Sequence, residues 1–145
     1  MSHQLSIEIS GAGEDPNHRS HWAFAVHQPS SRTGDLLHVR VLDLDRLWYG
    51  FEFRRGTRLG AMQGVGLCKL APLDARQRQH AEELIRNEPP PTDGKRKCQD
   101  WIVDALIALE VEELVPGGTA EFWSRMVGKP ARLVCEAVGG DWTSF

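Results

Sequence analysis

Lys97-Cys98-Gln99-Asp100-Trp101-Ile102-Val103-Asp104-Ala105-Leu106 is the stretch on which the fold turns. Counting from Cys98 at helical spacing meets Trp101, Ile102, Ala105, Leu106 and Leu109, one apolar face of a helix. The spacing predicts a helix over 98–114, ended by Pro116-Gly117-Gly118. A thiol therefore stands at a helix start, on the side that must pack. Unpaired N–H groups and partial positive charge collect there and favour a thiolate. Lys95, Arg96 and Lys97 push the same way.

Upstream the period changes from helical to alternating. Residues 4–9 predict a first strand, and 11–20 a polar loop that delivers His21. From His21 to Val26, Trp22, Phe24 and Val26 share one face, and His21, Ala23 and Ala25 the other. Residues 29–35 form a turn, and 36–44 a strand with Leu37, Val39 and Val41 on one face and His38 on the other. This is a hairpin. Matching its apolar residues pairs Trp22 with Val41, Phe24 with Val39 and Val26 with Leu37. A slip of two pairs would set His21 opposite His38; in either register the two histidines share a face.

Residues 47–54 and 60–70 are further strand candidates, the last weakened by Gly64 and Gly66. Helices are expected at 74–87 with Asp74 as cap and at 119–126 with Thr119 as cap, while 131–138 reads as a last strand or a helix, the helix being preferred. Residues 88–94 are too rich in proline for a helix, and the tail 139–145 reads as loose. The expectation is one α+β domain over residues 1–145: a small antiparallel sheet with the Cys98 helix packed on it.

Composition narrows the function classes. The 145 residues carry a formal net charge of -3, which gives no reason to expect nucleic acid or an anionic membrane as partner. No run approaches the roughly 18 apolar residues of a membrane span. The N-terminal residues lack a signal-peptide pattern, and three widely spaced cysteines suggest a reducing, cytoplasmic setting without disulfides. No metal-ligand spacing or nucleotide fingerprint occurs, so neither metal nor cofactor is expected.

A thiol nucleophile needs a base and a group to orient that base. Cys98, His21 and His38 offer the three. The N–H groups at the helix start could hold an oxyanion. Trp22, Gln99 and Trp101 are candidate substrate contacts, and Trp48 a further pocket aromatic. Core packing is the competing reading for at least two of the tryptophans, and a cysteine on an apolar stripe is also an ordinary small core residue. Cys68 and Cys135 read as structural, and His3, His18, His27 and His80 as surface residues.

The blocks His21-Trp22-Ala23-Phe24-Ala25-Val26 and Cys98-Gln99-Asp100-Trp101-Ile102-Val103, with His38 between them, resemble the circularly permuted NlpC/P60 branch of the papain-like superfamily. The lecithin retinol acyltransferase-like proteins belong to that branch. A group of small fungal proteins with a His-Trp strand and a Cys-Gln-Asp-Trp helix start is more similar still. The resemblance spans about residues 20–115. It implies a permuted papain-like fold, Cys98 as nucleophile, His21 as general base and His38 as the orienting residue. It further implies acyl transfer or hydrolysis of an amide, ester or thioester, on a small-molecule or acyl substrate.

Lys97 departs from the family's usual Asn. The hairpin turn is longer, and no membrane-anchoring segment follows the motif, which argues against a membrane-bound lipid enzyme. The alternative is a non-hydrolytic cyclase or binding protein of fungal secondary metabolism. There His21, with Asp100 or His38, would move protons and Cys98 would be inert. A stress or interaction module would use none of these residues.

Overall fold

A computed structural model describes residues 2–61 and 63–145. Strands β1 (His3–Ser10), β2 (His21–His27), β3 (Thr33–Asp43), β4 (Trp48–Arg58) and β5 (Gly64–Leu73) precede helices α1 (Ala75–Asn87), α2 (Cys98–Val111), α3 (Thr119–Met126) and α4 (Ala131–Val138). A 3-10 turn (Gly139–Asp141) leads into a short β6 (Trp142–Ser144). The six strands form one antiparallel sheet in the order β4-β3-β2-β1-β5-β6.

Alternation decides which sheet face takes the helices. Leu5, Ile7 and Ile9 of β1, Trp22, Phe24 and Val26 of β2, and Leu37 and Val39 of β3 are all buried in the main core. Helix α2 lies across β2 and β3 and buries Trp101, Ile102, Ala105, Leu106 and Leu109 against them. Burying a large aliphatic or aromatic side chain contributes roughly 1.5–3 kcal/mol, so this face of α2 is a substantial part of the core. Part of the opposite sheet face is covered too. Leu59 packs on Ala25, Leu67 and Leu36, and the Gly60 N–H donates to Glu8 Oε1 at 2.7 Å. Burial pushes the Glu8 carboxyl upward, and the Gly60 hydrogen bond opposes the shift.

Helix α1 begins as the sequence predicts. Asp74 Oδ1 accepts from the Gln77 N–H at 2.8 Å, and Gln77 Oε1 from the Asp74 N–H at 3.0 Å. Helix α3 does not. Its cap is Gly118 at φ +92°, while the Thr119 hydroxyl donates backward to the Pro116 carbonyl at 2.6 Å.

Two further expectations are corrected. The hairpin pairs Phe24 with Leu37 and Val26 with Asp35, two residues from the register that apolar matching selects. A shift of two residues keeps every apolar side chain on its own face, so alternation alone does not select this register. Leu42 and Leu44, at the β3–β4 turn, are exposed. The tail is not loose: β6 pairs with β5 along Gly66–Cys68. A Cβ on Gly66 would meet the Trp142 ring at 2.1 Å, and one on Gly60 the Phe145 ring at 2.7 Å. These two glycines leave the recesses into which the tail's aromatics settle.

Candidate active site

Cys98 is the first residue of α2, and what precedes it fixes that position. In the loop before α2, Asp93 Oδ1 accepts from the N–H groups of Lys95 and Arg96 at 3.0 and 2.9 Å. The proline-rich segment is tied down by the Trp101 indole, which donates to the Glu88 carbonyl at 3.0 Å, and by the Tyr49 N–H, which donates to the Pro91 carbonyl at 2.9 Å. Lys97 has no side-chain acceptor. The helix start is closed instead by Asp100, whose Oδ2 accepts from the Lys97 N–H at 2.8 Å.

His21 opens β2, and its lead-in is held as firmly. The Ser20 hydroxyl donates to the Gly11 carbonyl at 2.8 Å, and the Ala131 N–H to the Ala12 carbonyl at 2.8 Å. Gln99 ties this segment to α2. Its amide donates to the Ser20 carbonyl at 2.9 Å and accepts from the Gly128 N–H at 2.8 Å, and the side chain is fully buried. Cys98 and His21 are thereby brought to the rim of one cavity of about 390 Å³.

Behind His21 runs a chain of hydrogen bonds along the sheet. His21 Nε2 lies 2.9 Å from His38 Nδ1, the two rings meeting edge-to-face. His38 Nε2 lies 2.9 Å from Glu52 Oε1 on the neighbouring strand, where the two residues are paired. The same oxygen accepts from Arg54 Nε at 2.6 Å, and Arg40 Nε stands 3.5 Å from Oε2.

The carboxylate determines where the protons sit. An ionised Glu52 only accepts, so His38 carries its proton on Nε2 and presents a bare Nδ1. That Nδ1 accepts from His21 Nε2–H, which leaves His21 Nδ1 as a free lone pair. Burial, and then the neighbouring His38, lower the His21 pKa from 6.5 to about 4, so the ring is neutral near pH 7. Burial lowers His38 as well, more than its hydrogen bond with Glu52 raises it. Burial pulls Glu52 upward, but the hydrogen bonds from His38 and Arg54 outweigh it and hold the carboxyl below its ordinary value.

The thiol departs from the sequence expectation of a favoured thiolate. Burial raises the Cys98 pKa, and this outweighs the lowering by the backbone N–H groups of Trp22 and Gln99 that face the sulfur. Asp100 adds to the rise and Arg19 opposes it. The lysines before the helix do not decide the matter, because desolvation of the sulfur is the larger effect. Cys98 and His21 therefore rest as thiol and imidazole. Among the described residues no hydrogen bond joins them.

The remaining candidates are placed elsewhere. Trp22 and Trp101 are fully buried in the core, Trp22 edge-on to Trp123 and Trp101 edge-on to Phe24. Neither lines the cavity, and both polar ends of Gln99 are consumed by backbone partners. Trp48 is exposed beneath the Arg46 guanidinium. Cys68 is buried and its thiol is pushed up to about 12. His27 is no surface residue: it is buried, accepts from the Ser6 hydroxyl at 2.9 Å and donates to the Gln28 carbonyl at 2.9 Å.

Sequence reasoning missed Glu52, Tyr49 and Arg19. Glu52 sits directly opposite His38, a fact only the register reveals. Tyr49 lines the cavity, its hydroxyl facing the Cys98 N–H. Arg19 lies two residues before His21, within the loop the sequence marks only as polar.

The fold and site define an α+β domain in which a helix-start thiol and an imidazole–imidazole–carboxylate chain meet at one cavity. The chain belongs to DUF6540, a family of unknown function, which it matches over residues 8–116. No curated protein and no solved structure matches it. Among the described residues no helix is long and apolar enough to cross a membrane, and no group of three or more His, Cys, Asp or Glu side chains is placed to hold a metal.

Proposed function

We propose that this protein is a thiol-dependent acyl transferase or hydrolase of the permuted papain-like kind, acting on an amide, ester or thioester. The observation that carries the reading is the hydrogen-bonded chain Glu52–His38–His21, whose last residue lines the same cavity as Cys98. With Glu52 ionised, this chain leaves His21 Nδ1 to take a proton.

Cys98 Sγ attacks the substrate carbonyl as its proton passes to His21 Nδ1. The imidazolium so formed keeps its Nε2–H bond to His38, whose own Nε2–H is held by the Glu52 carboxylate. Collapse of the tetrahedral intermediate breaks the bond to the leaving group, which takes the proton from His21. Water or a second acceptor then gives its proton to His21 and attacks the Cys98 thioester, and the thiol is restored. The N–H groups of Trp22 and Gln99 face the sulfur and the Tyr49 hydroxyl meets the Cys98 N–H, so these are the donors at hand for a developing oxyanion. Since thiol and imidazole are both neutral at rest, the proton moves during attack rather than beforehand.

That same neutrality favours a second reading, in which His21 and His38 perform acid–base chemistry without a covalent intermediate, as in a cyclase. Stopped-flow hydrolysis of a neutral p-nitrophenyl ester separates the two. The nucleophile reading expects a nitrophenolate burst of one per chain, absent in Cys98→Ala. Steady release without a burst, unchanged in Cys98→Ala, would overturn it in favour of the second.

A further inference from the structure

The cavity's charge is one-sided. Arg19, Arg40 and Lys97 line it, and no carboxylate does. Arg19 reaches Asp100 only at 3.9 Å and Arg40 reaches Glu52 at 3.5 Å, while Lys97 has no ion pair among the described residues. This cationic rim belongs to a chain whose formal net charge is -3, so it is a local feature and not an overall excess. Four further lining residues are aliphatic: Val39, Val41, Leu44 and Leu47. Leu44, at the β3–β4 turn, is 77 % exposed, so the apolar side of the cavity opens outward there. At about 390 Å³ the cavity is the size of a small-molecule site, which typically holds roughly 300–1,000 Å³.

We propose that the cavity takes an amphiphile: a single acyl compound with an apolar tail and a phosphate or carboxylate close to the reacting carbonyl. The tail lies on Val39, Val41, Leu44 and Leu47. The anion sits among Arg19, Arg40 and Lys97, beside Cys98. The acyl part of this assignment rests on the proposed thiol chemistry; the charge and shape of the ligand do not. A neutral acyl compound would leave three loosely paired cations facing an occupied cavity, and a cationic one would be repelled.

The test uses Cys98→Ala protein, which binds without reacting, and two ligands with the same tail, octyl phosphate and octyl glucoside. Both are titrated by calorimetry below their micelle concentrations at low salt. Octyl phosphate is expected to bind about tenfold tighter, a modest contribution from each of three partly exposed cations. The preference shrinks in the Arg19→Gln/Lys97→Gln double variant and, in unaltered rim residues, as salt is raised.

Equal affinities, a preference indifferent to both salt and the double variant, or binding seen only with micelles would overturn the proposal. The ester burst of wild-type protein is read separately. A burst with no anion preference removes only the amphiphile. Anion preference with no burst removes only the thiol nucleophile and leaves an anionic ligand in the cavity.

Discussion

Nε2 of His38 lies 2.9 Å from Oε1 of Glu52, on adjacent strands and directly opposite in register. This contact governs the site although neither residue need touch a substrate. It fixes the proton on His38 Nε2 and, through His38, leaves His21 Nδ1 bare. An amide at position 52 can turn its NH₂ toward His38 and reverse both tautomers. Glu52→Gln is therefore expected to slow Cys98 acylation by roughly a hundredfold or more while the chain stays folded. Long-range nitrogen–proton NMR of the imidazoles checks the cause: wild type shows His21 and His38 as Nε2–H tautomers. An Nδ1–H tautomer of His21 in wild type would contradict the account.

Stability should respond to acid through His21. Its folded pKa, about 4, is depressed below the ordinary 6.5. Between those values the unfolded chain binds more protons than the folded one, so stability is full above pH 6.5 and falls as the pH drops toward 4. Thermal melts across that window should show Tm decreasing in wild type and a shallower decrease in His21→Ala. Identical slopes would mean that His21 is not held neutral.

Alkylation of Cys98 by iodoacetamide should have its pH midpoint above the ordinary thiol value of 9.0, because burial outweighs the N–H groups facing the sulfur. Arg19→Gln should move the midpoint higher still, since Arg19 is among the groups that lower it. Peptide mapping resolves Cys98 from Cys68 and Cys135. A midpoint well below 9.0 would show a preformed thiolate instead.

Gln99 offers a test of how the site is held together. Gln99→Leu leaves the Ser20 carbonyl and the Gly128 N–H without their partners in a buried position. The expected cost is roughly 2–4 kcal/mol in urea unfolding. A loss below 1 kcal/mol would show that water replaces the amide there.

The tail makes a parallel prediction. Gly66→Ala places a methyl group where the Trp142 ring lies, so β6 should detach from β5. Overpacking of this kind typically costs about 1–3 kcal/mol. Trp142 fluorescence should shift to the red and the last residues should become open to protease. An unchanged emission spectrum would mean that the ring moves aside without cost.

The part of the fold legible in the sequence is the part periodicity controls. The apolar stripe of α2 and the alternation of β1 to β3 place the core correctly, because burial of these side chains exceeds any competing local preference. Sequence also places Cys98 at a helix start and His21 and His38 on a common face. What it could not supply is set by long-range geometry. Glu52, flanked by Phe51 and Phe53 with Arg54 beyond, resembles any solvated carboxylate on an amphipathic strand until β3 and β4 are paired. The β2–β3 register is not legible because a slip of two residues leaves every side chain on the same face. Desolvation of Cys98 arises from its tertiary surroundings, whereas the local sequence shows only basic neighbours. The tail's docking requires matching Trp142 and Phe145 to glycines far away in the chain.

The most direct test of the central claim is intact-mass analysis after brief exposure to a neutral activated ester, with the adduct mapped to a residue. The account predicts one acyl group per chain, on Cys98, forming at least a hundredfold more slowly in His21→Ala, roughly the smallest contribution expected of a positioned general base. An adduct spread over surface groups, or one on Cys98 whose rate ignores His21, would contradict it.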